Sequence, residues 1–363
     1  MPERFALITS RYLVYVSVAE LVAALYVVTA GLSKYHARLM FESVLPTFII
    51  AVGLAYASSS MRKSRGPEAA ALQYTTSLAA WAVMATGLLA GLTGFSFPLA
   101  AALIIAGFSL ALFTTASLRR LDVLLSVLTL GYTQALGGLI LLTSKGLGLF
   151  NVALAFIGAE AVGAIFAVTL HSYPSTFGEK PSLPATALAF SLLTVSAVLA
   201  MEGSSLYVPL LGASMIASLP AFRVEKLKDF YGKAKASKSP VARGGTLYFF
   251  YGHQFAFSFL LADGALLLMT PLLRIDVLYL IHLVTLGVVM MFVLIHAPMM
   301  LPVIMGWSSA RRYNLTPFVL QALGALLWPF NMHVSFFLIG LALVFDALIV
   351  KPAAEPMPLS LVR

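Results

Sequence analysis

Residues 278–306 read LYLIHLVTLGVVMMFVLIHAPMMLPVIMG, a stretch apolar enough to cross a bilayer that nevertheless carries two imidazoles, His282 and His296. Ionisable side chains at membrane depth are costly and by default mark a functional site. The chain has six histidines. Four of them, His253, His282, His296 and His333, fall in the last third of the chain, together with Asp263 and Asp346. The earlier apolar runs hold only Glu20, Glu42 and Glu160, with His36 and His171 near their ends. His282 and His296 are 14 residues apart, so on a helix they project within roughly 40° of each other and about 21 Å apart along the axis.

The elements that must carry these rings follow from composition. The chain has 363 residues, is 60% hydrophobic and 10% charged, and has a mean hydropathy of +0.95. Soluble domains sit near half apolar and a quarter charged. Backbone groups in lipid must be satisfied within the chain, which leaves helices or closed barrels. The apolar runs here are continuous rather than alternating, so the fold class is all-α: a polytopic integral membrane protein. Spans of about 20 residues place twelve transmembrane helices at 12–32, 40–60, 71–93, 96–117, 122–143, 147–170, 184–201, 204–222, 246–270, 275–303, 315–330 and 332–350. No cleavable leader precedes the first. There is no cysteine, which excludes disulfides and thiolate ligation.

Orientation follows from the basic residues. With cytoplasmic N- and C-termini, inner segments hold 19 of the 23 Lys and Arg, leaving Lys34, Arg38, Lys145 and Arg274 outside. The net charge of +9 is then loop asymmetry and not a nucleic-acid footprint. Four segments result. Residues 1–222 form an eight-helix scaffold and 223–245 a basic cytoplasmic loop, read as a solvated connector touching anionic lipid heads. Residues 246–350 form a four-helix histidine-bearing bundle, and 351–363 a cytoplasmic tail. The expected location is a prokaryotic plasma membrane.

On this topology the imidazoles lie in two layers, His253 with His296 on the inner side and His282 with His333 on the outer side, His333 being about 10 Å the shallower of the outer pair. Two layers of paired imidazoles suit one or two haem b groups stacked across the membrane, as in membrane cytochromes b, with Arg274 at the outer mouth available to propionates. Copper is the lesser expectation for the histidines, and the methionines Met269, Met290, Met291, Met299, Met300 and Met305 read first as adaptable packing. The alternative for each imidazole is a structural hydrogen bond to a carbonyl or an acid.

GHQFAFSFLLADGALLLMT (252–270) and HLVTLG (282–287) resemble, over about 55 residues, the histidine-bearing elements of the NnrS family, membrane proteins with haem and copper related to haem–copper-oxidase-like proteins. The resemblance implies that His253 and His282 are haem or metal ligands, with Thr285 and Gly287 as motif neighbours. The elements are adjacent here, where that family separates them, and Gln254 replaces an expected acid.

The resulting expectation is a membrane haem protein, a subunit of a respiratory or redox complex that moves electrons between quinone and partner subunits. A proton-coupled secondary transporter using Glu20, Glu160, Asp263 and Asp346 is the first alternative, and a non-catalytic hydrophobic anchor of a redox complex the second. No HExxH, GxSxG, P-loop or Asp-rich motif points to another enzyme.

Overall fold

The computed structural model describes residues 2–60, 67–117, 121–144, 146–236, 239–305 and 313–350. Every regular element in them is helical: α1 (Pro2–Thr29), α2 (Ser33–Arg38), α3 (Leu45–Ser60), α4 (Pro67–Thr93), α5 (Phe97–Ser117), α6 (Leu121–Thr143), α7 (Leu149–Ile157), α8 (Gly163–Thr176), α9 (Leu183–Met201), α10 (Tyr207–Ala221), α11 (Leu227–Lys235), α12 (Pro240–Leu268), α13 (Thr270–Leu273), α14 (Val277–His282), α15 (Met290–Met305), α16 (Thr316–Leu327) and α17 (Met332–Val350). Three π-helical segments, Leu39–Val44, Gly158–Val162 and Leu283–Val289, join α2 to α3, α7 to α8 and α14 to α15. The expected tail, 351–363, lies outside the described residues, as do the cations at 62–65, 119–120 and 311–312.

The helices are inside out by the standards of a soluble protein. On α1 the exposed stripe is Tyr12, Tyr15, Val18, Val22 and Tyr26, while Ser10, Ser17 and Glu20 are buried. On α17 Phe337, Val344 and Leu348 face outward and Ser335 and Asp346 inward. Water would reverse this arrangement; lipid favours it, because apolar side chains lose nothing there and polar ones find partners between helices. Ser10 Oγ donates to the Ala51 carbonyl at 2.7 Å, tying α1 to α3, and Ser335 Oγ donates to the Gly324 carbonyl at 2.7 Å, tying α17 to α16. The chain is a helical membrane protein.

The twelve expected spans are not all matched. Among the described residues seven helices are long and apolar enough to cross a membrane, and an eighth is reached only if Tyr207–Ala221 and Val224–Lys235, bent by 41°, count as one. Three further apolar helices, Phe97–Leu112, Val127–Thr143 and Thr316–Leu327, are shorter over their described parts. Helix α12 is absent from the seven. It has the length, and its own His253, Gln254 and Asp263 lower its hydropathy, which is also what makes it the chemically interesting helix.

Two compact units are present, Met1–His171 with Leu193–Tyr207, and Ser172–Leu192 with Val208–Arg363. In the first, α5 and α6 approach closely: a Cβ added at Gly107 would lie 2.3 Å from the Gly131 carbonyl oxygen, and one at Gly131 2.5 Å from that of Gly107, so both positions need glycine. In the second, the basic loop departs from the solvated connector expected of it. Arg223 adopts a left-handed conformation (φ 64°), a 3-10 turn follows, and α11 docks with Phe230 fully buried. Phe230 stacks on Phe177 at 4.6 Å and meets Tyr173 edge-on at 5.5 Å. Lys226 and Lys233 pair with Glu179 at 2.7 and 3.5 Å, and Lys233 Nζ donates to the Phe177 carbonyl at 2.6 Å. One aromatic at the right phase of a Lys-rich helix is enough to dock it, and loop composition hides that.

Candidate functional site: a buried imidazole pair

The site lies in the second unit, between α12 and α15. His253 is fully buried on α12 and His296 half-buried on α15. Their ring centroids are 5.6 Å apart and nearly perpendicular, at 79°. The expected inner pair is therefore brought together, from separate helices and at matched height. Each ring is aimed by its own helix: Nδ1 of His253 lies 2.7 Å from the Phe249 carbonyl, and Nδ1 of His296 lies 2.9 Å from that of Phe292. A carbonyl only accepts, so each Nδ1 carries the proton and each Nε2 is left with a lone pair. Nε2 of His296 meets the Ser172 hydroxyl at 3.3 Å. Nε2 of His253 is buried with no hydrogen-bond partner in the structure.

Aromatic rings box the pair. Around His253 stand Tyr173 at 4.4 Å, Phe249 at 4.2 Å, Phe257 at 5.5 Å and Phe292 at 5.7 Å. The two helices touch beside the rings: a Cβ on Gly252 would lie 2.7 Å from Ile295 and 2.6 Å from Phe318. A bis-imidazole haem needs a flat macrocycle between the two rings, one Nε2 directed at the iron from each of its faces. The imidazoles here are in contact with each other and with their aromatic neighbours, so a macrocycle between them requires α12 and α15 to part at Gly252 and Ile295. Among the described residues no group of three or more His, Cys, Asp or Glu could hold a metal ion; the pair offers two nitrogens.

The other expected ligands are placed differently. His282 stacks face to face on Trp328 at 4.0 Å, with Nδ1 2.8 Å from the Leu278 carbonyl. His333 is exposed in the first turn of α17. Arg274 is exposed, in a left-handed conformation (φ 49°), in the turn before α14. Of the six methionines, Met291 is fully buried, whereas Met269 and Met299 are largely exposed.

Further polar groups line α12. The Tyr248 hydroxyl donates to the Leu294 carbonyl at 2.8 Å and lies 3.2 Å from Asp346 Oδ1. Asp263 is 3% exposed, and its Oδ2 is buried without a partner. That oxygen would lie 2.9 Å from a Cβ on Gly287, so glycine in the π-helical segment makes room for the carboxyl. A cleft of about 420 Å³ has walls that include Ser239, Thr246, Tyr313, Met299 and Phe249, and Phe249 also packs on both imidazoles. Sequence reasoning named the ionisable residues and missed Ser172, Tyr248 and the aromatic box. A polar residue in an apolar span was the available signal for Ser172 and Tyr248; a ring of Phe and Tyr in a membrane protein carries none. The π-helical segments, which recur at functional sites, flank or contain Glu42, Glu160 and His282 and have no sequence signature. No protein-family model matches the chain, and neither a curated protein nor a solved structure matches it.

Proposed function

We propose that the protein is a proton-translocating membrane protein of the secondary-transport class, with His253 and His296 as its proton-accepting centre. The carrying observation is the buried Nε2 of His253, which has no partner and faces an environment of rings. An unpaired buried acceptor costs roughly 1–3 kcal/mol, and histidine is the side chain whose charge changes most readily near neutral pH. Chains of His, Asp and Glu at membrane depth are the usual proton relays. Helix α12 carries three such levels, Tyr248 with Asp346, then the imidazole pair about 7.5 Å on, then Asp263 about 15 Å further. The cleft lined by Phe249 lies beside the imidazole box. The reading includes twelve crossings, cytoplasmic termini and a prokaryotic plasma membrane, on the charge asymmetry of the loops.

One observation favours the redox reading, with haem b, quinone and partner redox subunits. An imidazole held through Nδ1–H with a free Nε2 is what an axial ligand presents, and His253 and His296 both hold Nδ1 that way. It needs the two helices to separate.

Purified protein reconstituted into vesicles with a trapped pH dye separates the two. Under an inside-negative potassium diffusion potential, wild type acidifies the lumen faster than empty vesicles, and His253→Phe does not. A Soret band in protein from haem-replete cells, lost in His296→Ala, overturns the proton reading in favour of haem.

A further inference from the structure

One short piece of chain touches both the imidazole pair and α11. It runs from Ser172 to Glu179, the end of α8 and the turn that closes it. Its first two residues face the pair. Ser172 Oγ lies 3.3 Å from Nε2 of His296. The fully buried Tyr173 ring lies 4.4 Å from that of His253, and its hydroxyl accepts from Gln254 Nε2 at 3.3 Å. Its far end faces α11, where Phe177 stacks on Phe230 and Glu179 receives Lys226 and Lys233. The turn between is fixed by its own bonds. The Glu179 N–H donates to the Pro174 carbonyl at 2.8 Å and the Gly178 N–H to that of Ser175 at 3.0 Å, with Gly178 left-handed (φ 71°). These are the paired bonds and the glycine that end many helices. A displacement at one end is therefore carried to the other.

Helix α11 reaches the same ring directly. Phe230 is fully buried and meets Tyr173 edge-on at 5.5 Å, so a side chain of α11 supports the ring that covers His253. Tyr231 packs on Phe250 of α12 at 5.6 Å. The ionic part of the attachment is weak by comparison. The Lys226 and Lys233 side chains are 30% and 48% exposed, and ion pairs this open to solvent contribute little. An element of nine residues held by one buried aromatic and exposed ion pairs belongs to the low-stability end of a structure, from which lids over reaction centres are drawn.

We infer that α11 and the 172–179 turn form a gate over the imidazole pair, closed in this structure. With Phe230 docked, Tyr173 covers His253 and Ser172 occupies Nε2 of His296. With Phe230 withdrawn, the turn moves and both Nε2 atoms meet water from the side assigned to the cytoplasm. The gate takes its purpose from the proton reading, because a transported ion must be reached from one side at a time. Its mechanics do not depend on that reading.

Carbethoxylation by diethyl pyrocarbonate tests it, on the full-length protein in detergent at neutral pH, read residue by residue by mass spectrometry. The reagent attacks any unprotonated imidazole nitrogen that it can reach. In wild type, His253 and His296 are expected to react at least about tenfold more slowly than the exposed His333. Phe230→Ala raises both rates by about tenfold or more and leaves that of His282, held on Trp328, unchanged. Glu179→Gln, which keeps every ring, raises them less. A wild-type His253 as reactive as His333 overturns the inference. So does a His253 equally protected in wild type and both variants, or a rise at His282 as large as at His253, which is general loosening. The readout needs no proton flux. Vesicles that fail to acidify, beside a His253 that Phe230→Ala exposes, remove the proton reading and leave the gate. Acidification with a His253 that stays protected in both variants removes the gate and leaves the proton reading.

Discussion

His253 combines two properties that pull in opposite directions. Its ring fills an aromatic box, and its Nε2 is an unsatisfied buried acceptor. Substitutions can separate the two. His253→Ala empties the box and is expected to cost about 3–5 kcal/mol, as large-to-small core changes do. His253→Phe keeps a ring, removes the orphan Nε2 together with the Nδ1–H bond to the Phe249 carbonyl, and is expected to leave the unfolding midpoint near wild type while abolishing proton movement. A midpoint lowered as far by Phe as by Ala would mean that the hydrogen bonding of the imidazole, and not the filling of the box, is what stabilises. At this scale the sequence was informative for one pair and not for the other. Counting depth along the spans placed His253 level with His296, and their rings meet. The same counting could not find the Trp328 stack that occupies His282, because ring stacking is decided by side-chain direction in three dimensions.

At the scale of elements, close helix approach explains the position of the site. Gly252→Ala drives a methyl into Ile295 and Phe318 and is expected to cost about 1–3 kcal/mol by overpacking. Gly340→Ala meets nothing within 4 Å and is the matched control, expected to be neutral or stabilising in the same unfolding measurement. Helix α11 makes the second case. Its lysines hold Glu179, whose carboxyl lies below its ordinary value of 4.5 through the hydrogen bond from Lys226, with the charge of Lys226 and the bond and charge of Lys233 adding. A depressed folded-state value means that this tether is fully present above the ordinary carboxylate range and is lost as pH falls through the lowered value. Glu179→Gln removes it at neutral pH and is expected to speed tryptic cleavage at Lys228 and Lys235; an unchanged cleavage rate would show that Phe230 alone holds the helix. Charge count and glycine content marked this segment as a loop, and its docking became visible only once Phe177 and Tyr173 were brought beside it.

For the whole molecule, the all-helical membrane fold was legible because lipid leaves a chain that is 60% hydrophobic and 10% charged only helices or closed barrels, and its apolar runs are continuous rather than alternating. The span count was less so: helices bent or interrupted by π-helical segments, and α12 with its own polar residues, do not present as uniform apolar stretches. Orientation has a direct test, since the chain contains no cysteine. Lys34→Cys is expected to react with an impermeant maleimide in intact cells, and Lys228→Cys only after the membrane is opened; the reverse pattern would invert the topology. The central claim is tested most directly by proton entry into vesicles driven by an inside-negative potassium diffusion potential. The account predicts rapid lumen acidification for wild type and the protein-free rate for His253→Phe and His296→Phe. Acidification by either variant at the wild-type rate would contradict it.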